Sequence, residues 1–299
     1  SGFWRTGSFI PWPDYLKMMT EWFQTQQVED DLYLTTEPHF YQGNRCNIWL
    51  LKGPTKDVII DTGLGVRNLR EYLENKGLID TVGAGRDCLV VCTHVHFDHT
   101  GGAHHFNNVY IHEEDLPGLQ SASQLETLNY VKSQHFMCQP YPEFSAFRYK
   151  VPPTDCRPLK DGDIIDIGGG HKINIIHVPG HTRGNIIIFY AQKGYMFSGD
   201  FAYQCSHGTD FLDWLPHSSI PEYVESCRRI LDWLQRSDIF VHKIYPGHFN
   251  ILGRERLETL LMEYIEGRAD SGYVRCTTGC LKVCLLCWIG TGCFRCCPC

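Results

Sequence analysis

His94, His96, Asp98 and His99 crowd one short stretch, Thr93-His94-Val95-His96-Phe97-Asp98-His99-Thr100-Gly101-Gly102. Imidazole nitrogens and carboxylate oxygens are good zinc ligands. On a strand, residues two apart face the same way, so His94 and His96 can point at one metal. Asp98 and His99 follow where the chain leaves the strand, and can point at a second metal about 3.5–4 Å from the first. The bland alternative is a histidine-rich solvated loop. Three separate signals argue against it: Pro179-Gly180-His181-Thr182, Ser198-Gly199-Asp200 and Pro246-Gly247-His248. Each follows an apolar run. Taken singly, such a residue is usually a turn residue or a helix cap. Taken together, these strand ends are expected to converge on one edge of a sheet, where layered α/β folds offer their ligand sites.

The elements that must position these residues are legible in part. Cys46 to Lys52 and Asp57 to Asp61 read as strands joined by a turn at Gly53 and Pro54. Leu64 to Lys76 reads as a helix with Leu69, Tyr72 and Leu73 on one face and Gly77 as its stop. Asp87 to Thr93 is nearly all apolar, as expected of a strand buried on both faces. Lys172 to Val178, Asn185 to Tyr190, Tyr195 to Ser198 and Lys243 to Tyr245 read as further strands. Pro13 to Phe23, Pro221 to Gln235 and Arg254 to Ile265 read as helices. Ala122 to Pro158, with weak periodicity and several prolines, is expected to lie over one edge of the site. Gly168-Gly169-Gly170 reads as a tight turn, because a strand follows it where a phosphate cradle needs a helix. The alternation predicts a layered α/β protein with sheets packed inside helices. The expected division is an N-terminal extension over 1–27, a catalytic domain over 28–267 and a cysteine-rich tail over 268–299.

The order HxHxDH, GH, GD and a late GH, preceded by Ile59-Ile60-Asp61-Thr62-Gly63, resembles the metallo-β-lactamase superfamily from about Asn44 to Glu266. The resemblance implies an αββα sandwich and two zinc ions. His94, His96 and His181 would bind the first, Asp98, His99 and His248 the second, and Asp200 would bridge both. Asp61 would brace the ligands through hydrogen bonds, although it reads equally well as a cap for the Leu64 helix. The runs Asn44–Leu50, Gly180–Gly184, Phe211–Pro216 and Pro246–Asn250 resemble an acyl-coenzyme A thioesterase branch that prefers long chains and is anchored by S-palmitoylation. Two zinc ions lower the pKa of a shared water, so hydroxide is available to attack a carbonyl carbon. A thioester suits such a site, since a thiolate leaves with little help from an acid. Asp98 would orient the attacking hydroxide. Phe211 and Trp214 would wall an apolar channel, although Trp214 reads equally as core. Arg183 would meet a coenzyme A phosphate, or else make a surface salt bridge. The expected function is therefore a dinuclear zinc hydrolase of long-chain, palmitoyl-CoA type thioesters. A hydroxyacyl-glutathione hydrolase or lactonase on the same metals, and a catalytically silent membrane-associated scaffold, are the alternatives. The complete ligand set speaks against the scaffold.

Bulk composition restricts the partners. The net charge of −7 and the lack of a basic stripe argue against nucleic acid. Ser1 to Thr25 shows no secretory-signal pattern, and no apolar run is long enough for an ordinary membrane-spanning helix. Of the fifteen cysteines, eight fall between Cys276 and Cys299. The others are scattered, and Cys88 and Cys92 in an apolar strand read as buried free thiols, which favours a reducing compartment. The tail from Arg275 has no acidic residue and carries Arg275, Lys282 and Arg295. Cys276, Cys280, Cys284 and Cys287 would share one helix face and are candidates for S-palmitoylation. Several acyl chains with basic residues would hold the enzyme on the cytoplasmic side of a membrane, with the cytosol as the alternative. A structural zinc on Cys284-x-x-Cys287 and Cys293-x-x-Cys296, or a tail with no role, are the rivals. Replacing all eight tail cysteines by serine is expected to release the protein to the soluble fraction and leave hydrolysis of a short soluble thioester unchanged. Persistence on membranes, or no acyl chain freed by hydroxylamine, would favour the tail zinc site.

Overall fold

The computed structural model describes residues 21–40, 45–128, 145, 148–205 and 210–269. Seven strands form a first sheet in sequence order: β1 (Gln24–Glu29), β2 (Leu32–Thr36), β3 (Ile48–Lys52), β4 (Lys56–Ile60), β5 (Asp87–Val91), β6 (Val109–His112) and β7 (Arg157–Leu159). Five form a second: β8 (Ile164–Gly168), β9 (His171–His177), β10 (Ile186–Tyr190), β11 (Tyr195–Gly199) and β12 (Lys243–Pro246), in the order β12-β11-β10-β9-β8. The helices are α1 (Leu69–Asn75), α2 (Phe97–Thr100), α3 (Leu116–Gln120), α4 (Ile220–Leu234) and α5 (Arg254–Ala269).

Period-two alternation sorts the strand residues into layers. Ile48, Leu50, Ile59 and Val90 face outward from the first sheet and pack with Leu69 and Leu73 of α1. Their neighbours Trp49, Leu51, Val58, Ile60 and Val91 face inward and meet Ile173, Ile175, Ile186, Ile188 and Phe197 of the second sheet. The far face of that sheet, with Ile176, Ile187, Phe189 and Met196, is covered by Tyr223, Val224, Cys227 and Ile230 of α4 and by Leu257, Leu260 and Leu261 of α5. These are the four layers of an αββα sandwich. Strands buried on both faces carry apolar residues at every position, which is why β3, β5, β10 and β11 read so clearly in the sequence.

The strand directions bring the motifs together. β4 runs parallel to β5, with Ile60 beside Val91, and β11 runs parallel to β12, with Gly199 beside Pro246. Both pairs therefore end on the same edge. The sheets are tied there by the backbone bonds Asn47 N to Gly247 O (2.7 Å) and Ile186 N to Thr93 O (2.9 Å). Trp49 Nε1 also donates to Pro246 O at 3.1 Å.

Several boundaries differ from expectation. The helix expected from Leu64 starts at Leu69, capped by Asn68, whose side chain accepts from Glu71 N at 3.1 Å. The residues before it are held in a loop: Leu64 N donates to Glu37 Oε2, Leu64 O accepts from Tyr149 Oη, and Gly63 and Gly65 sit at φ +68°. The domain starts before residue 28, because β1 begins at Gln24 and Trp22 and Phe23 lie in the core. It runs past 267, because Arg268 pairs with Asp213 at the end of α5. Residues 21–23 are not helical, and the rest of the expected Pro13–Phe23 helix lies outside the described residues. So do Cys276, Cys280, Cys284 and Cys287 and most of the expected 122–158 excursion. The described part of that excursion includes Tyr149, which packs its ring against Phe97 of α2. The glycine run 168–170 is the turn between β8 and β9. Among the described residues Cys46, Cys88, Cys92, Cys156 and Cys227 are buried free thiols. No described helix is long and apolar enough to cross a membrane.

Candidate metal centre

Four strand ends deliver the side chains. His94, His96, Asp98 and His99 follow β5 and enter α2, His181 follows β9, Asp200 directly follows β11, and His248 follows β12. All seven are buried. Their ligand atoms gather into overlapping groups, each within 4.8 Å: His94 with His96 and His181, His94 with His99 and Asp200, and Asp98 with His99 and His248. Asp200 lies between the two histidine sets, its Oδ2 3.6 Å from His181 Nε2 and 3.3 Å from His248 Nε2. Gly247 has no room for a side chain, since a Cβ there would stand 2.5 Å from Asp200 Oδ1.

The outward ring nitrogens are committed to acceptors. His99 Nδ1 meets Asp61 Oδ2 at 2.8 Å, His181 Nδ1 meets Leu212 O at 2.9 Å and His248 Nδ1 meets Arg45 O at 3.0 Å. A carbonyl or carboxylate oxygen can only accept, so each of these nitrogens is the protonated one. When such a ring is neutral its Nε2 is the lone-pair nitrogen, and in all three rings it is aimed inward. His99 Nε2 and His248 Nε2 face each other at 3.2 Å, and His181 Nε2 lies 2.9 Å from His96 Nδ1. Lone pairs at this distance repel unless a proton or a cation stands between them. Neutral imidazoles fixed in one tautomer by an outer acceptor are the usual arrangement around a metal, and this donor set fits a divalent cation of the zinc type.

The charges agree. Burial, then the neighbouring imidazoles of His99, His96 and His181, hold His94 well below the usual histidine range. Burial and His181 do the same to His96. For His248 burial opposes the proton, but Asp200 and Asp98 outweigh it and push the pKa up to about 9. Burial likewise works against the Asp200 carboxylate, yet His248 and His99 hold its pKa well below the usual carboxylate range.

Asp61 caps no helix, since the helix expected at Leu64 begins at Leu69 behind Asn68; its carboxylate instead faces the histidine cluster. Its Oδ1 accepts from Thr93 N at 2.7 Å while its Oδ2 takes the His99 bond. The carboxylate reaches both because Asp61 sits at φ +61°, an uncommon conformation that aspartate tolerates better than most residues. Cys46 Sγ lies 3.5 Å from the same His99 Nδ1. Phe211 is not on an open wall. Its ring stacks on Tyr264 at 4.3 Å and meets Tyr223 in the core. Trp214 is 42% exposed, so it is not core. Arg183 is exposed, and among the described residues its guanidinium makes no ion pair. Asp115, Glu37 and the carbonyls of Arg45 and Leu212 had no sequence signal. Asp115 ends an acidic run that reads as a solvated turn, and a carbonyl leaves no trace in residue type.

The chain belongs to the metallo-β-lactamase superfamily, whose description matches residues 41–248, and it is a hydrolase of that class. It is 38% identical over 251 residues to the human protein named acyl-coenzyme A thioesterase MBLAC2, covering 82% of this chain and 88% of that one. The Gallus gallus protein of the same name is 38% identical over 248 residues, covering 82% and 87%. Among solved structures, a metallo-β-lactamase from Pontibacter korlensis matches with a TM-score of 0.59 at 16% identity, over 82% of this chain and 97% of that one. A metallo-β-lactamase family protein from Thermus thermophilus matches at 0.58 and 20% identity, over 82% and 81%. These structural likenesses carry the fold alone.

Two expectations follow from the geometry. Asp61→Ala is expected to weaken metal affinity by roughly 10–100-fold in a chelator competition, whereas a lost cap would cost only about 1 kcal/mol of stability and leave affinity alone. The second concerns pH. With its pKa raised from 6.5 to about 9, the His248 proton stabilises the metal-free fold fully below pH 6.5, and this contribution is lost as pH climbs through about 9. Metal must expel that proton. The gain in melting temperature on adding metal is therefore expected to grow from pH 6.5 to 9, and calorimetry of chelated and zinc-loaded protein measures it.

Proposed function

We propose that the protein is a dinuclear zinc hydrolase that cleaves long-chain acyl-coenzyme A thioesters to fatty acid and coenzyme A. The observation that carries the substrate class is the 38% identity, over most of both chains, to proteins named acyl-coenzyme A thioesterase. In this reading His94, His96 and His181 would hold one cation and Asp98, His99 and His248 the other, with Asp200 shared between them. Such a pair of ions supplies a low-pKa water and a Lewis acid for a carbonyl oxygen. Asp98 is the most exposed of the seven at 7% and so stands nearest the mouth. Its Oδ2 lies 3.4 Å from His248 Nε2, leaving Oδ1 to accept a hydrogen bond from the attacking water and orient it. The N–H groups of His99, His181 and His248 are committed elsewhere and are not available to protonate a leaving group. A thioester fits this shortage of acid, because its thiolate departs unprotonated.

Trp214 lies two residues from the Leu212 carbonyl that orients His181, and its exposed ring is the proposed apolar wall for an acyl chain. Arg183, two residues after His181 and without an ion pair among the described residues, is proposed to meet a coenzyme A phosphate. Acylation of Cys276, Cys280, Cys284 and Cys287 would hold this mouth beside the cytoplasmic leaflet where long-chain substrate partitions.

Purified protein is expected to carry two zinc ions per chain and to cleave palmitoyl-coenzyme A with a higher kcat/KM than lactoylglutathione. His94→Ala and Asp200→Ala are expected to abolish hydrolysis while the circular dichroism spectrum survives. The reverse substrate order would favour the glutathione thioester, and protein isolated gently without metal would sink the mechanism.

A further inference from the structure

Asp115 is a buried carboxyl that the proposed hydrolysis does not use. It lies in the turn between β6 and α3 and is 3% exposed. Its Oδ2 accepts from Val95 N at 3.0 Å and from Thr182 Oγ1 at 2.7 Å, and its Oδ1 accepts from Gly184 N at 2.8 Å. The two oxygens of a carboxylate have room for all three donors. The placement of those donors is informative. Val95 N belongs to the peptide between His94 and Val95, one residue before His96. Thr182 and Gly184 flank Arg183 immediately after His181. One carboxylate thus joins the loop of the first sheet that carries His94 and His96 to the loop of the second sheet that carries His181.

The contact is built for closeness. A Cβ on Gly184 would lie 2.6 Å from Asp115 Cγ, so only glycine lets this backbone reach the carboxylate. The other half of the centre is held by different groups. Asp61 takes His99 Nδ1 and reaches His94 as well through Thr93 Oγ1, Thr62 N and Oγ1 both donate to His99 O at 2.7 and 2.8 Å, and Arg45 O takes His248 Nδ1. None of these touches Asp115.

We propose that Asp115 is a positioning residue for the His94–His96–His181 half of the centre and has no hold on the other half, so that loosening Asp115 weakens one metal position and spares the other. The proposal rests on the two-metal reading above. A metal ion held by three imidazoles from two sheets requires those sheets to keep their loops in fixed relation, and hydrogen bonds to buried charge are the stronger class that can do so.

The test is a zinc titration against a competing chelator, resolved into two binding steps, on the full chain. His94→Ala and His248→Ala label which step belongs to which half. Asp115→Asn keeps the shape of the side chain but turns one acceptor into a donor facing a donor. It is expected to weaken the step lost in His94→Ala by roughly 10–100-fold and to leave the step lost in His248→Ala within about twofold. Thr182→Val removes one of the three bonds and is expected to weaken the same step by a smaller factor, which keeps the test open if Asp115→Asn folds poorly. Asp61→Ala, by contrast, is expected to weaken both steps, because its carboxylate holds His99 directly and His94 through Thr93. Equal weakening of both steps, or a lower melting temperature with both affinities intact, would overturn the proposal and leave Asp115 a general structural residue. A wild-type protein that takes up no zinc would instead overturn the metal reading on which it rests.

Discussion

The inward nitrogens of His99 and His248, 3.2 Å apart with their other sides already committed, set the central constraint on this molecule. Folding alone does not relieve it, since burial removes water that would otherwise solvate the lone pairs. Either a proton or a cation must stand in the gap. Every feature around the site bears on keeping that gap open and correctly shaped. Asp61 holds one ring, the Arg45 carbonyl holds the other, and Gly247 leaves space where a side chain would intrude on Asp200 and His99.

That constraint explains the depth of the surrounding core. The loops that carry the ligands leave two different sheets, so their spacing is only as firm as the contact between the sheets. The inward residues Trp49, Ile60, Val91, Ile188, Phe197 and Tyr245 fill this layer almost without exposure. Interiors of this density transmit small displacements without absorbing them. The polar ties at the edge, from Asn47, Trp49 and Ile186, then fix the register of one sheet on the other.

The residues that gather at the centre were legible because their chemistry is rare and their spacing follows strand geometry: His94 and His96 alternate on one face, and His181, Asp200 and His248 each close an apolar run. The doubly buried strands were legible for the same reason. β1 was missed because Gln24–Glu29 is polar and half-exposed, with no alternation to read. β6 and β7 are too short to show a period. The helix start was misplaced because Val66, three residues before Leu69, fits the helical pattern of Leu69 and Leu73, while the loop that holds Leu64 depends on Glu37 and Tyr149, distant in sequence. Phe211 was read as a channel wall from its neighbours in the chain, when its real neighbours are Tyr223 and Tyr264. Asp115 escaped notice because a buried aspartate with three donors looks, in sequence, like any acidic turn.

Leu212 meets His181 through its carbonyl, not through its side chain. The acceptor survives almost any substitution at that position, because every residue has a backbone oxygen. The side chain at Leu212 can thus change while the imidazole keeps its tautomer, with Phe211 and Asp213 on either side anchored in the core. Selection can reshape the rim of the pocket without passing through a form that has lost its metal, so the same centre can serve successive substrates on a segment whose composition changes and whose backbone does not.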